Sequence, residues 1–128
     1  NDLPGYSAQA LKTAEALDEK LSLWVDQWGK EGIELGFGIS ITNGPVIFGV
    51  IGHEERMEIT TLGESVNLAA KLEKHTKELH SRILTTTQNY DLAVSQNFVP
   101  RFKRTDFPRE TISGIPHEVS LVGLKNNL

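Results

Sequence analysis

The sequence predicts an α+β domain, an antiparallel sheet with helices packed on it, and three observations carry that prediction. Residues 6–28 hold a long stretch with apolar residues at three- and four-residue spacing. Two runs rich in β-branched residues flank an Asn-Gly pair at 43–44, a strong signal for a tight turn. Short strand-like and helix-like segments then alternate without an internal repeat or a low-complexity linker. With 128 residues, of which 38% are apolar, one domain over 1–128 is expected.

The first helix is placed at 6–28 by Leu11, Ala14, Leu17, Leu21, Trp24, Val25 and Trp28, which share one face, and Gly29 and Gly32 end it. "IELGFGISI" reads as a strand, "TNG" as the hairpin turn, and "PVIFGVIG" as the returning strand, buried on both faces. "HEERM" is a charged loop and "EITTL" a third strand. Gly63 turns the chain into a helix over about 65–79, with Ser65 as its cap and Glu64 at the positive end of its dipole. "RILTT" is a short strand, and "TTQNYDLAVSQ" a short helix capped by threonine. "FVPRFKRTDF" and "HEVSLVGL" are closing strands, with "SGIP" as the turn before the last.

The composition narrows the function classes. A net charge of −4 and no basic run longer than two residues argue against nucleic acid and against contact with anionic lipid. Without cysteine there is neither a disulfide framework nor a thiolate metal site. The longest apolar run is too short to cross a bilayer, and the N-terminal stretch is no signal peptide. A cytoplasmic domain is the expectation.

Asn67 and Lys71 stand four residues apart and share a helix face. One reading is a solvated stripe that continues through Lys74 and Glu78. The other is an amide and a cation aimed across an interface at an anion, where they stabilise charge on a transferring phosphoryl group. Thr60, near the end of a strand, is either an ordinary β-branched strand residue or a hydroxyl for a ligand. The glycines at 44, 49 and 52 lack dinucleotide-fingerprint spacing and read as turn and bulge glycines. His53, His75, His80 and His117 have no metal-ligand spacing and are expected at the surface. Glu54/Glu55 and Asp106/Glu110 are expected in solvated loops.

Taken together, residues 38–79 resemble the second half of the class III adenylate/guanylate cyclase catalytic domain. Gly38, Gly44, Gly49, Gly52, Arg56, Met57, Gly63, Val66, Asn67, Ala69, Leu72 and Glu73 fall in register with that family's glycine hairpin, R-M pair and V-N-x-A-x-R-[LM]-E helix. The preceding helix, "ILTTTQNYDLAV" and "SGIPHEVSLVGL" fit the same layout. The resemblance implies a ferredoxin-like nucleotidyl cyclase fold whose first strands lie outside this chain, so that 1–128 is the C-terminal portion of the domain. It also implies conversion of ATP, less readily GTP, to a 3′,5′-cyclic monophosphate with release of pyrophosphate. The enzyme is implied to work as a homodimer or with another cyclase half.

In that resemblance Asn67 matches the asparagine that orients the ribose. Lys71 stands where the family has the arginine that stabilises the α-phosphorus, and Thr60 stands at a base-reading position. Two ions, Mg2+ or Mn2+, are implied to be held by aspartates outside this chain, which leaves the chain alone inactive. Two departures accompany the match. A lysine lacks arginine's planar fork, so slower chemistry is expected. The turn "ISGIP" has Ser113 and Ile115 where the family often carries a lysine for the terminal phosphates. These departures keep open a degenerate module that only dimerises or regulates. Absent central strands would leave exposed strand edges that favour pairing between chains.

Overall fold

The computed structural model describes residues 5–45, 47–53 and 56–126, with side chains described for 5–45 and 63–126. Its order is α1 (Tyr6–Lys30), β1 (Ile39–Ile41), β2 (Ile47–His53), β3 (Arg56–Leu62), α2 (Glu64–His75), β4 (Ile83–Thr86), α3 (Thr87–Ser95), β5 (Lys103–Glu110) and β6 (Val119–Lys125). Four strands form one sheet in the order β1-β4-β6-β5, and β2 and β3 form a separate antiparallel ribbon. The β4–β6 and β5–β6 pairs are antiparallel, whereas β1 runs parallel to β4, so the sheet is mixed.

Strand β6 shows how the layers are built. Successive side chains point to opposite faces of a sheet. Val122 and Leu124 join a core with Leu11 and Ala14 of α1 and Tyr90 and Ala93 of α3. Val119 and Leu121 join a second core with Leu72 of α2 and Ile112. Helices α1 and α3 therefore cover one face of the sheet and α2 the other.

The expected Asn-Gly hairpin does not form. β1 pairs with β4, and β2 pairs with β3 from Ile47–Leu62 through His53–Arg56. The polar groups around β1 have other partners. Ser40 Oγ donates to Ala69 O at 2.6 Å, Thr42 Oγ1 to Ser65 O at 2.7 Å, and Thr85 Oγ1 to Ile41 O at 2.7 Å. These bonds bind β1 to α2 and β4, and residues 42–45 follow β1 without a hydrogen-bonded turn. The strand expected from residue 33 begins at 39, because Ile33 and Leu35 remain exposed. Close approach sets the glycine at 38: a Cβ there would lie 2.3 Å from Thr76 Oγ1.

Several local expectations are corrected. The cap of α2 is Gly63, with no side-chain bond, and Ser65 lies inside the helix. The helix ends at His75, where Thr76 Oγ1 donates to Glu73 O and the backbone turns through His80, whose φ is 52°. Threonine does cap α3: Thr86 Oγ1 accepts from Asn89 N at 3.0 Å. Asp106 and Glu110 lie in β5 rather than a loop, on either side of a bulge between Phe107 and Glu110. His75 is mostly buried, with its Nδ1 3.1 Å from Glu78 Oε2 and its Nε2 4.0 Å from Glu110 Oε1. His80 and His117 are exposed. Glu54 and Glu55 lie outside the described residues, as does the side chain of His53.

The buried face of α1 also departs from its apolar stripe. Ser7, Leu11, Ala14, Glu15 and Asp18 are buried, whereas Leu17, Trp24 and Trp28 are exposed. Burial, the largest influence, raises the Asp18 carboxyl above its ordinary value of 3.8. Arg82 and a bond from Ser22 oppose that rise, and Glu19 adds to it. A carboxyl with a raised value holds its proton in the fold at a pH where the unfolded chain has released it. Its contribution to stability is therefore present below the unfolded value and is lost as pH rises through the folded one. Asp18→Asn, which keeps an oxygen for Ser22, is expected to stabilise the protein more at pH 7 than at pH 4. Urea midpoints at the two pH values test this, and an equal change at both would contradict it.

Candidate functional site

Helix α2 and two loops form a cleft of about 470 Å3. The segment after β1 contributes Asn43, Gly44 and Pro45, the first turns of α2 contribute Glu64, Ser65, Asn67 and Leu68, and the loop before β6 contributes Gly114, Ile115, Pro116 and His117. The topology places these together. β6 runs opposite to β1, so the end of β1 and the approach to β6 meet at one end of the sheet, where α2 begins.

Asn67 is exposed in this cleft. Lys71, one turn further along α2, is half-buried against the cleft wall: a Cβ at Gly114 would stand 3.2 Å from both its Cε and its Nζ. Gly114 has φ 85°, a conformation that suits glycine, and Ile115 N donates to Ile112 O at 3.0 Å to close the turn. Among the described residues neither the Asn67 amide nor the Lys71 ammonium makes a hydrogen bond or ion pair. Among the described residues the helix thus presents an amide in the cleft and a cation beside its wall without partners, a pair that can hold an anionic group, although Glu64 lines the same cleft.

Thr60 lies in β3 opposite Gly49, and β3 leads through Gly63 into α2, but its side chain is outside those described. Of the departures, Ile115 lines the same cleft, next to Gly114, which lies beside Lys71. Sequence reasoning missed His117 and Asn43 as cleft residues. The Asn-Gly pair was legible only as a turn, and His117 has no spacing that links it to α2. Among the described residues no group of three histidine, aspartate or glutamate side chains is placed to hold a metal ion. Among them no helix is long and apolar enough to cross a membrane.

The architecture is that of the class III adenylyl and guanylyl cyclase catalytic domains. The adenylyl cyclase CyaB from P. aeruginosa matches with a TM-score of 0.70 over 95% of this chain and 60% of its own, at 22% identity. The guanylyl cyclase Cya2 matches with a TM-score of 0.70 over 97% of this chain and 60% of its own, at 19% identity. At these identities the likeness is one of fold. In sequence, the chain is 35% identical over 87 residues to an adenylate cyclase of Anabaena cylindrica. It is 51% identical over 49 residues to the terminal-differentiation-specific adenylate cyclase of Dictyostelium discoideum. These matches cover 64% and 38% of this chain but only 17% and 2% of the relatives, so the chain spans a small part of either. No family model matches the chain.

Proposed function

We propose that this chain is part of the catalytic domain of a nucleotidyl cyclase that converts ATP to 3′,5′-cyclic AMP and pyrophosphate. The observation that supports the reading is that Asn67 lines the cleft while the end of the Lys71 side chain lies beside Gly114 of its wall. In the proposed reaction the ribose 3′-oxygen bonds to the α-phosphorus, the bond from that phosphorus to the oxygen bridging to the β-phosphorus breaks, and pyrophosphate leaves. The 3′-hydroxyl proton passes to a base or to solvent. Asn67 orients the ribose, and Lys71 neutralises charge that builds on the α-phosphoryl oxygens. Thr60 reads the adenine, which favours ATP over GTP, and the names of the sequence relatives support that preference.

The chain acts beside a second cyclase chain, whose site Asn67 and Lys71 complete. Bound Mg2+ or Mn2+ would supply Lewis-acid chemistry at the phosphates and the 3′-hydroxyl. On the cyclase resemblance the residues that would hold these ions are aspartates outside this chain, and the chain alone is expected to be inactive. A second reading, a cyclase-like module that dimerises or regulates, is favoured by Ser113 and Ile115 in the turn before β6, of which Ile115 lines the cleft. The test is cyclic nucleotide formation from ATP and GTP with Mn2+, by a longer protein that contains this chain and the metal-holding residues. Cyclic AMP in excess of cyclic GMP is expected. No product from either nucleotide, in a folded dimer, would leave the regulatory module.

A further inference from the structure

A second large hollow lies at the opposite end of the sheet and has a different chemistry. β1 and β4 run parallel, so Phe37 before β1 and Arg82 before β4 stand at one end, and antiparallel β6 brings Lys125 to the same end. Thr76 and Lys77, just past α2, and Asp18 of α1 complete the wall of a cleft of about 530 Å3. That volume lies in the range of small-molecule sites.

Its charge runs against that of the molecule. The chain carries 17 acidic and 13 basic residues, yet Lys77, Arg82 and Lys125 all line this one hollow. Among the described residues no carboxylate comes within ion-pair distance of any of the three. Arg82 is not a loose surface cation. Its Nη1 donates to Ser22 Oγ at 2.8 Å, and its guanidinium sits 4.8 Å from the centre of the Phe37 ring. Two features oppose an anion here: the Asp18 carboxyl and the C-terminal end of α2. The helix end amounts to about half a negative charge. Together they do not offset three cations.

Asp18 is 3% exposed and accepts from Ser22 Oγ at 3.4 Å. Asp18 lines the cleft, where its carboxyl is an acceptor for a hydroxyl donor. The geometry points to a binding site for a small phosphorylated, hydroxyl-bearing molecule, with the phosphoryl group on Lys77, Arg82 and Lys125 and the hydroxyl donating to Asp18. This site is separate from the Asn67 cleft, which opens at the other end of α2, and it does not depend on the cyclase reading.

Amide 1H–15N spectra of the 128-residue chain test the site, with inorganic phosphate and glycerol 3-phosphate as probes and sodium chloride at matched ionic strength as control. Saturable shifts are expected at residues 76–82 and 124–126, at lower concentration for glycerol 3-phosphate. Lys77→Ala with Lys125→Ala is expected to weaken both probes by about tenfold or more. Asp18→Asn is expected to reduce the advantage of glycerol 3-phosphate and to strengthen inorganic phosphate, because it removes a charge that opposes the anion. Lys71→Ala is expected to change neither. Shifts reproduced by chloride, shifts confined to 64–68 and 113–117, or affinities untouched by the double substitution would each overturn the assignment.

Discussion

Lys71→Ala, in a longer protein with cyclase activity, is expected to lower kcat about 10²–10³-fold, with a smaller change in KM. A preorganised charge at the point where negative charge develops is worth that much in the rate, because it acts on the transition state more than on the bound substrate. The structure gives the residue the required form. Its ammonium has no partner among the described residues, and the end of its side chain lies beside Gly114. Lys71→Arg is expected to raise kcat, since a planar fork can make two bonds to a phosphoryl group where an ammonium is a point charge. The missing side chain at Gly114 leaves the larger head room. Steady-state kinetics on both variants decide it, and an unchanged kcat for Lys71→Ala would remove the residue from the reaction.

Glu15→Ala is expected to destabilise the fold by about 3 kcal/mol. Glu15 is 1% exposed, and its Oε2 accepts from Arg101 N at 2.9 Å and Phe102 N at 3.1 Å. Its Oε1 lies 3.8 Å from Arg101 Nε. The carboxylate takes the place of a strand partner for the segment that enters β5, and alanine leaves two amide donors without an acceptor. Phe102, in the α1–α3 core, is tied to the same point. Glu15→Gln keeps one acceptor oxygen and is expected to lose less. Urea unfolding should show a lower midpoint at unchanged slope. A loss of less than about 0.5 kcal/mol, the size of an ordinary surface change, would mean that the loop finds other partners.

Glu15 also marks what was hidden in the sequence. The helical period of 6–28 gave α1 correctly, but hydropathy chose Trp24 and Trp28 for the buried face over Glu15 and Asp18. A carboxylate is buried when specific donors meet it, and here those donors lie 86 and 87 residues away. The Asn-Gly pair failed for a related reason. Turn chemistry states that the chain can reverse, not which strand receives it, and β1 found β4 more than forty residues on. Threonine capping of α3 and the strand at β6 were legible because they are local. The cyclase-like register over 38–79 was legible for a different reason, since a motif read as a whole carries tertiary information that single residues lack. Asn67 and Lys71 could be placed on one face by spacing alone. That Lys71 lies beside the turn at Gly114 could not.

Both tryptophans of the chain, Trp24 and Trp28, sit on the second half of α1 at 63% and 41% exposure. Intrinsic fluorescence is therefore a local reporter of one helix end. In the isolated chain it should emit at long wavelength and change little when the sheet melts, so the Glu15 variants are better followed by circular dichroism. The same property turns it into an optical signal for association: a partner that covers this end of α1 would move the emission to the blue without touching either cleft.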